Sequence, residues 1–312
     1  MSKKILFFGN ERLATGVKTS NPVLEALLAN DYEIAAIVVA QNEPARSRQS
    51  RQLEVAVVAE KHKIPLLAIN NLDDVKTRAQ LAVFGAEAAV LVAYGKLVPT
   101  SLIEIFPGGI INLHPSLLPL HRGSTPIESA ILDGDNQTGV ALMQLAEEMD
   151  AGPVFIQASR QLSGQESKQE LADQLTKLGA DLIIKHLPAI LDGRLVPKQQ
   201  DESKATYDSH ISKSDGNLDW TKPAERLERE VRAFADWPRS RTSLSGKEII
   251  VTKAHVAAGN GQPGTINVKN NQLSIYCGNG CLVIDSLIPP GKTEMPTSAW
   301  LIGLKNQELK LT

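Results

Sequence analysis

The first two thirds of the chain alternate between short apolar runs and segments whose apolar residues recur at helical spacing. The runs are rich in Val, Ile, Leu and Ala with little polar alternation, which is typical of strands buried on both faces. They cover residues 4–9, 33–40, 65–69, 87–95, 109–114 and 138–145. Helices are expected near residue 22 and over 53–63, the 70s, 99–106, 124–134 and 167–192. The alternation predicts an α/β fold, with an open, mostly parallel, Rossmann-like sheet between two layers of helices.

Asn21-Pro22 marks the predicted start of the first helix. Asparagine is a favoured N-cap residue, and proline fits the first helical position. The side chain of Asn21 is therefore predicted to cap this helix.

The pattern changes near residue 206. Residues 195–206 are polar and without period, and they are predicted to form a linker. A helix over 224–235 is followed by short strands separated by Gly, Asn and Pro, as in a small β-barrel or sandwich. The predicted organisation is a first domain over 1–194, the linker, and a second domain over 207–312.

Composition excludes several classes of protein. The 312 residues are 42% hydrophobic and 22% charged, and the net charge of -2 argues against a protein that simply coats nucleic acid. No segment has the length of a membrane span or the form of a signal peptide, so a cytoplasmic protein is expected.

Cys277 and Cys281 flank Asn279-Gly280, which favours reduced cysteines beside a hairpin turn over a disulfide. No zinc ligand set is evident, and no metal is expected.

Residues 111–123, INLHPSLLPLHRG, contain the first candidate chemistry. Asn112 and His114 lie two apart at the end of a strand, so they share one face. Pro115 keeps His114 extended, and ligands of open α/β sheets bind at the carboxyl ends of strands. A histidine there moves protons near neutral pH, and an asparagine amide donates to a developing oxyanion. The alternative is that both residues only cap the strand and satisfy backbone groups.

A second candidate is the loop after the strand at 138–145. It contains three acids, Glu147, Glu148 and Asp150, and Asp150 is followed by Ala-Gly. A carboxylate beside His114 would orient the ring and stabilise its protonated form. The residues alone leave open which acid does so, or whether the loop is merely solvated.

These segments resemble the folate-dependent formyltransferases. Asn-x-His followed by Ser-Leu-Leu-Pro resembles that family's signature, and Asp150-Ala-Gly152 matches its Asp-x-Gly loop. The resemblance implies that Asn112, His114 and Asp150 are catalytic, and that 10-formyltetrahydrofolate is the co-substrate without a metal. VAYGKLVP at 92–99 resembles a segment that lines the folate pocket. The implied folate-binding residues are Val92, Ala93, Tyr94, Gly95, Ser116, Leu117, Leu118 and Pro119.

The second domain is similar to that of family members that formylate the methionine of initiator tRNA. The similarity is carried by residues 205–220, 232–240 and 263–266, and it implies an OB-like barrel that contacts the tRNA. Initiator methionyl-tRNA is then the partner, in translation initiation, with no membrane and no obligate protein partner. The implied tRNA-binding residues are Arg46, Arg48, Arg51, Lys213, Arg232, Arg239 and Arg241.

The sequence departs from the family pattern in two places, and three alternative functions stay open. Residues 10–20 are longer than the family's loop, so its contacts are not transferred, and residues 41–52 leave open which arginine leads. A sugar-nucleotide N-formyltransferase would share the catalytic trio and the folate. A dehydrogenase would have Gly-x-Gly-x-x-Gly after the first strand, where this chain has GNERLATG. A non-catalytic RNA-binding protein is the third alternative. The charge of the second domain supports RNA binding only weakly, since residues 206–312 hold 13 Lys and Arg against 11 Asp and Glu.

Overall fold

A computed structural model of the chain describes residues 3–41, 53–304 and 309–311. The chain forms two compact units. The first contains Met1–Ile127, Asn136–Leu162 and Gln169–Ser209, and the second contains Glu128–Asp135, Ser163–Lys168 and His210–Thr312. Residues 195–206, the predicted linker, therefore lie within the first unit.

The first unit is built on a seven-stranded sheet with the order β3-β2-β1-β4-β5-β7-β8. Strands β1 to β5 are parallel, whereas β7 runs antiparallel to β5 and β8 antiparallel to β7. A separate short parallel pair joins β6 to β9. The mostly parallel sheet confirms the predicted fold class, and β8 was not predicted. The strands are β1 Lys4–Gly9, β2 Glu33–Ala40, β3 Leu66–Ile69, β4 Ala88–Val92, β5 Ile110–His114, β6 Arg122–Gly123, β7 Gln137–Gln144, β8 Val154–Gln161 and β9 Tyr207–Asp208.

The predicted helices are present, with somewhat shorter bounds. The longest, α6, has 24 residues, and several of its apolar residues are fully buried. None of the helices in the described ranges is long and apolar enough to cross a membrane. The helices are α1 Pro22–Ala29, α2 Glu54–His62, α3 Val75–Ala82, α4 Thr100–Ile103, α5 Pro126–Asp133, α6 Lys168–Leu191, α7 Ala224–Ala233 and α8 Thr297–Gly303, with 3-10 turns at Glu202–Lys204 and Lys213–Gly216.

The start of α1 differs from the prediction. Asn21 has a left-handed backbone with φ 55° and makes no side-chain cap. The carboxylate of Glu11 replaces it, accepting hydrogen bonds from the backbone N–H groups of Val23 at 2.9 Å and Leu24 at 2.8 Å. The prediction that Asn21 caps the helix is wrong, because an acceptor from the preceding loop satisfies these donors. Burial raises the pKa of Glu11 to about 7.

One face of the parallel sheet packs on an aromatic cluster. The ring of Phe8 meets Tyr94 edge-on with 5.6 Å between ring centroids, and it meets Phe106 at 6.2 Å. All three belong to one buried core that includes Leu6, from β1, and Leu102, from α4. This packing fixes the carboxyl ends of β1 and β4 at the edge where the candidate chemistry lies.

The second unit is an antiparallel sheet covered by helices. Its strand order is β10-β11-β14-β13-β12, with β15 paired to β14, and α7 packs against β11 and β14. This confirms the predicted small β domain, while closure into an OB-like barrel stays a prediction. Cys277 and Cys281 are both buried and free, on either side of the β13–β14 turn. The strands are β10 Ser240–Leu244, β11 Lys247–Ala257, β12 Ile266–Lys269, β13 Gln272–Tyr276, β14 Cys281–Ile288 and β15 Met295–Pro296.

Candidate active site

The end of β5 places two polar side chains inside the first unit. Asn112 is 6% exposed and His114 4% exposed, on a strand whose other residues are buried apolar ones. β5 lies between β4 and β7, with Asn112 beside Leu91 on one side and beside Met143 on the other. The two side chains therefore share a face at the carboxyl end of a central strand, where open α/β sheets bind ligands.

Asp150 brings a carboxylate to both of these side chains. Its Oδ1 lies 3.5 Å from Nδ2 of Asn112 and 3.6 Å from Nδ1 of His114. Its Oδ2 accepts a hydrogen bond from the backbone N–H of Gly123 at 2.9 Å. Glu147 is directed elsewhere, since it accepts a hydrogen bond from the hydroxyl of Thr100. Of the three acids in this loop, Asp150 is the one that meets Asn112 and His114.

The contact made by Nε2 of His114 determines which ring nitrogen carries the hydrogen. Nε2 lies 2.8 Å from the backbone oxygen of His121, and a carbonyl oxygen only accepts. Nε2 therefore carries the hydrogen, and the proton that His114 gains or loses resides on Nδ1, which faces Asp150. A protonated ring forms an ion pair with that carboxylate, within reach of the amide of Asn112.

His121 and Asp208 support this arrangement, and sequence reasoning missed both. The ring Nδ1 of His121 is 3.1 Å from Oδ1 of Asp208, and the backbone N–H of His121 donates to the hydroxyl of Thr206 at 2.8 Å. β6 and β9 pair through Arg122 with Tyr207 and Gly123 with Asp208. The backbone oxygen that orients His114 is thus held by residues more than 80 positions later.

The segment between β5 and β6 contains half of the residues implied in folate binding. Ser116 is fully buried, and its hydroxyl donates to the backbone oxygen of Leu120 at 2.6 Å. Leu118 precedes a cis bond to Pro119 and packs against Ala141 and Met143. The segment is well anchored, with Leu117 and Pro119 partly exposed.

The turn after β4 contains the other half. Val92 is fully buried, and Tyr94 belongs to the aromatic core, where burial raises the pKa of its hydroxyl to about 12. Ala93 and Gly95 both have positive φ angles, 52° and 78°. The side chain of Tyr94 thus anchors the turn in the core, while Ala93 and Gly95 are at least partly exposed.

Three non-glycine residues of the site have strained backbones. Ala93, His121 and Asp150 adopt left-handed conformations with φ of 52°, 57° and 50°. Each such non-glycine residue costs about 1–3 kcal/mol, and such strain is commonly found at functional sites. Gly152 is required by space, since a Cβ there would lie 2.0 Å from the backbone oxygen of Gln144. This explains the glycine of the Asp-Ala-Gly sequence.

Arg122 is fully buried beside the catalytic candidates, and its role was not foreseen. Its guanidinium donates to Glu202 at 2.9 and 2.6 Å, to the hydroxyl of Tyr207 at 2.6 Å and to Oε1 of Gln200. The hydrogen bonds that Arg122 donates to Glu202 and Tyr207 raise the pKa of its guanidinium above its already high usual value, against the opposing effect of burial. The ring of Tyr207 also lies 5.4 Å below the guanidinium carbon. Every nitrogen of this buried guanidinium therefore donates to an acceptor.

The residues implied in tRNA binding fall into three groups. Arg46, Arg48 and Arg51 lie outside the described residues. Lys213 and Arg239 are exposed in the second unit. Their position leaves their side chains accessible to a large partner.

The remaining two arginines form contacts within the second unit. Arg232 donates from Nε and Nη2 to Glu228 at 2.7 and 2.9 Å and from Nη1 to the backbone oxygen of Glu166. Arg241 donates to the backbone oxygen of Pro238 at 2.5 Å. Both side chains are mostly buried, so their first role is structural.

A metal centre is not seen in the described ranges. No group of three or more His, Cys, Asp or Glu residues there is placed to hold a metal ion. The Asn112, His114 and Asp150 cluster contains one carboxylate and one imidazole, a set suited to proton transfer and hydrogen bonding.

Both units match models of one protein family. Residues 3–187 match the family described as Formyl transferase, and residues 210–305 match the one described as Formyl transferase, C-terminal domain. A methionyl-tRNA formyltransferase of Chloroflexus aurantiacus is 35% identical over 313 aligned residues, covering 99% of each chain. The chain therefore belongs to the formyltransferase family and, within it, to the methionyl-tRNA formyltransferases.

Solved structures share the fold at lower identity. HypX from Aquifex aeolicus, in complex with tetrahydrofolic acid, aligns with a TM-score of 0.63 at 16% identity, covering 98% of this chain and 48% of that one. This chain thus spans about half the length of HypX. An N-formyltransferase from Helicobacter canadensis, in complex with folinic acid and dTDP-3-aminofucose, aligns with a TM-score of 0.64 at 16% identity, covering 91% and 99%.

Proposed function

We propose that the protein transfers the formyl group of 10-formyltetrahydrofolate to the α-amino group of methionine on initiator methionyl-tRNA. The observation that carries this proposal is the meeting of Asp150 with both Asn112 and His114 at the end of β5. Full-length similarity to methionyl-tRNA formyltransferases supports the choice of acceptor. The product would serve translation initiation.

The chemistry divides among the three side chains. The methionyl amine attacks the formyl carbon, a C–N bond forms, and the carbonyl oxygen becomes an oxyanion. Nδ2 of Asn112 and protonated Nδ1 of His114 donate hydrogen bonds to that oxygen, and one such donor contributes about 3–4 kcal/mol. Asp150 stabilises the protonated ring, whose other nitrogen is held by the backbone oxygen of His121.

Collapse of this intermediate completes the transfer. The amine loses a proton, the folate nitrogen gains one, and the bond between that nitrogen and the formyl carbon breaks. His114 or a bound water relays the proton, and positioned transfer of this kind contributes about 100-fold or more. The reaction needs no change of oxidation state.

Folate is proposed to bind at the two turns that follow β4 and β5. The complexes of HypX with tetrahydrofolic acid and of the Helicobacter enzyme with folinic acid support a folate site in this fold. In the present chain the buried parts of these turns, Tyr94 and Leu118, hold the backbone in place. The partly exposed Ala93, Gly95, Leu117 and Pro119 are the proposed contacts.

The tRNA is proposed to contact the basic residues that remain accessible. Lys213 and Arg239 are the candidates among described residues, and Arg46, Arg48 and Arg51 stay candidates from the sequence. Arg232 and Arg241 are placed second, because their side chains are mostly buried in contacts within their own unit, whereas Arg239 is exposed.

Labelled formyl transfer with two acceptors tests the proposal. Wild-type protein is expected to formylate initiator methionyl-tRNA only when 10-formyltetrahydrofolate is present, and at least 100-fold faster than an amino-sugar nucleotide. Preference for the sugar nucleotide would support the alternative acceptor class, as in the Helicobacter enzyme. A protein that binds the tRNA without formylating either acceptor, and that is unaffected by His114→Ala, would be a non-catalytic RNA-binding protein.

A further inference from the structure

Gln200 connects the Asp150 turn to the buried arginine. Its Nε2 donates to two backbone oxygens, that of Asp150 at 2.8 Å and that of Gly152 at 2.7 Å. Its Oε1 accepts from Nε of Arg122 at 3.1 Å and from Nη2 at 2.9 Å. One side chain from the predicted linker therefore hydrogen-bonds to the turn on both sides of Ala151.

The partners fix the orientation of this amide. Arginine has only donors, and a backbone oxygen only accepts, so Oε1 must face Arg122 and Nε2 must face the turn. Glutamine supplies both an acceptor and two donors at the end of one side chain. Glutamate would keep the acceptor for Arg122 but lose both donors to the turn.

Arg122 is a rigid anchor for this contact. It is fully buried, and the planar guanidinium is held by both carboxylate oxygens of Glu202 and by the hydroxyl of Tyr207. A buried arginine with several hydrogen bonds has little freedom to move, so it holds the side chain of Gln200 in place.

The Asp150 turn needs such support. Asp150 holds φ 50°, which is strained for a residue with a side chain, and its carboxylate must stay near both Asn112 and His114. Gln200 satisfies the backbone oxygens of residues 150 and 152, the two that flank the bend.

We propose that Gln200 is a positioning residue for formyl transfer, which acts by holding the Asp150 turn and touches no reacting atom. This inference rests on the proposed function. Displacement of a catalytic group by about 1 Å can cost about 100-fold in rate. The loss is expected in kcat, because the Asp150 carboxylate supports the transition state rather than substrate binding.

Three variants distinguish a positioning role of Gln200 from a role in folding alone. Gln200→Glu keeps the partner of Arg122, so thermal stability is expected to stay within a few degrees of wild type. Its kcat is nevertheless expected to fall about 100-fold, with KM for folate and tRNA within about twofold. Gln200→Met, which has no hydrogen-bonding group, is expected to lose kcat equally and some stability too. The control is Gln199→Met at the exposed neighbouring position, which is expected to be unchanged.

A double-mutant cycle identifies the residue through which Gln200 acts. In an Asp150→Asn background, Gln200→Glu is expected to reduce the residual kcat by less than about threefold, because the carboxylate it positions is already absent. Wild-type kcat in Gln200→Glu, or a full 100-fold loss in the Asp150→Asn background, would overturn the proposal.

Hydrogen exchange distinguishes this inference from the proposed function. The peptide covering residues 146–153 is expected to exchange faster in Gln200→Glu than in wild type, whichever acceptor the enzyme uses. If wild type formylates only an amino-sugar nucleotide, the proposed function fails and the same kcat comparison is made with that acceptor. Unchanged exchange in this peptide would refute the positioning role even if tRNA is formylated.

Discussion

The two units use their charged residues in different ways. In the first unit, Asp150, Arg122 and Gln200 form one continuous network that ends at His114. In the second unit, Arg232 and Arg241 serve local contacts, while Lys213 and Arg239 remain exposed. The charged residues of the first unit thus share partners in one network, whereas the role of each arginine in the second unit depends on its own local contacts.

The largest expected effect tests the network of the first unit. Asp150→Asn removes the charge that supports protonated His114 while keeping the size of the side chain. We expect kcat to fall about 1,000-fold, with the melting temperature nearly unchanged. Steady-state formyl transfer and thermal unfolding measure the two quantities.

Glu148, an exposed acid of the same loop, provides the control. Glu148→Gln is expected to keep kcat within about twofold, because Glu148 is exposed and lies outside the cluster. Near wild-type turnover in Asp150→Asn would remove the distinction between the two acids and with it the role assigned to the network.

A second, smaller effect concerns the cost of buried charge in the first unit. The pKa of Glu11 is raised by burial from 4.5 to about 7, so the folded protein binds this proton more tightly than the unfolded chain. The free energy of unfolding should therefore decrease as pH rises from about 4.5 to about 7, by about 3 kcal/mol. Glu11→Gln should remove this contribution from urea unfolding curves measured between pH 5 and pH 8.

Glu60 is a suitable control for Glu11, since it is an exposed glutamate in α2. Glu60→Gln should leave the pH dependence as in wild type. An identical pH dependence in wild type and Glu11→Gln would show that Glu11 is ionised without cost in the folded protein.

The smallest effects separate the two kinds of arginine in the second unit. Arg232→Ala removes charge-assisted bonds to Glu228 and should lower the free energy of unfolding by about 2 kcal/mol. Arg239→Ala should leave stability within about 0.5 kcal/mol. It should weaken tRNA binding several-fold and reduce the slope of log affinity against log salt by about one. Urea unfolding and filter binding at several salt concentrations check both variants. Loss of stability in Arg239→Ala and loss of tRNA binding in Arg232→Ala would show that the two roles are assigned the wrong way round.

Much of the first unit could be predicted because its signals are local. The apolar runs at 4–9, 33–40 and 109–114 became β1, β2 and β5 with bounds within a residue. The shared face of Asn112 and His114 follows from strand geometry alone. β8 was missed because its residues are only half-buried or exposed, and the apolar run in VFIQASRQ is only three residues long.

The remaining features depend on contacts between distant residues. Asn21 has the composition of a cap, yet the carboxylate that caps α1 comes from Glu11, 12 and 13 residues before the amides it accepts from. Gln200 lies in a polar segment without period, and only its position beside Arg122 reveals its partners. No local pattern states which arginines are buried in ion pairs, so Arg232 and Arg239 look alike in the sequence.

The pairing of β6 with β9 sets a minimum length for any independently folding first half. A fragment cut at residue 194 would keep Asn112, His114 and Asp150 but would strip Arg122 of Gln200, Glu202 and Tyr207. Each hydrogen bond to a charged group contributes about 1.5–3 kcal/mol, so this loss is a large share of the stability of an ordinary domain. A truncated enzyme intended to retain its reactive centre should therefore extend at least to Ser209, where the first unit ends.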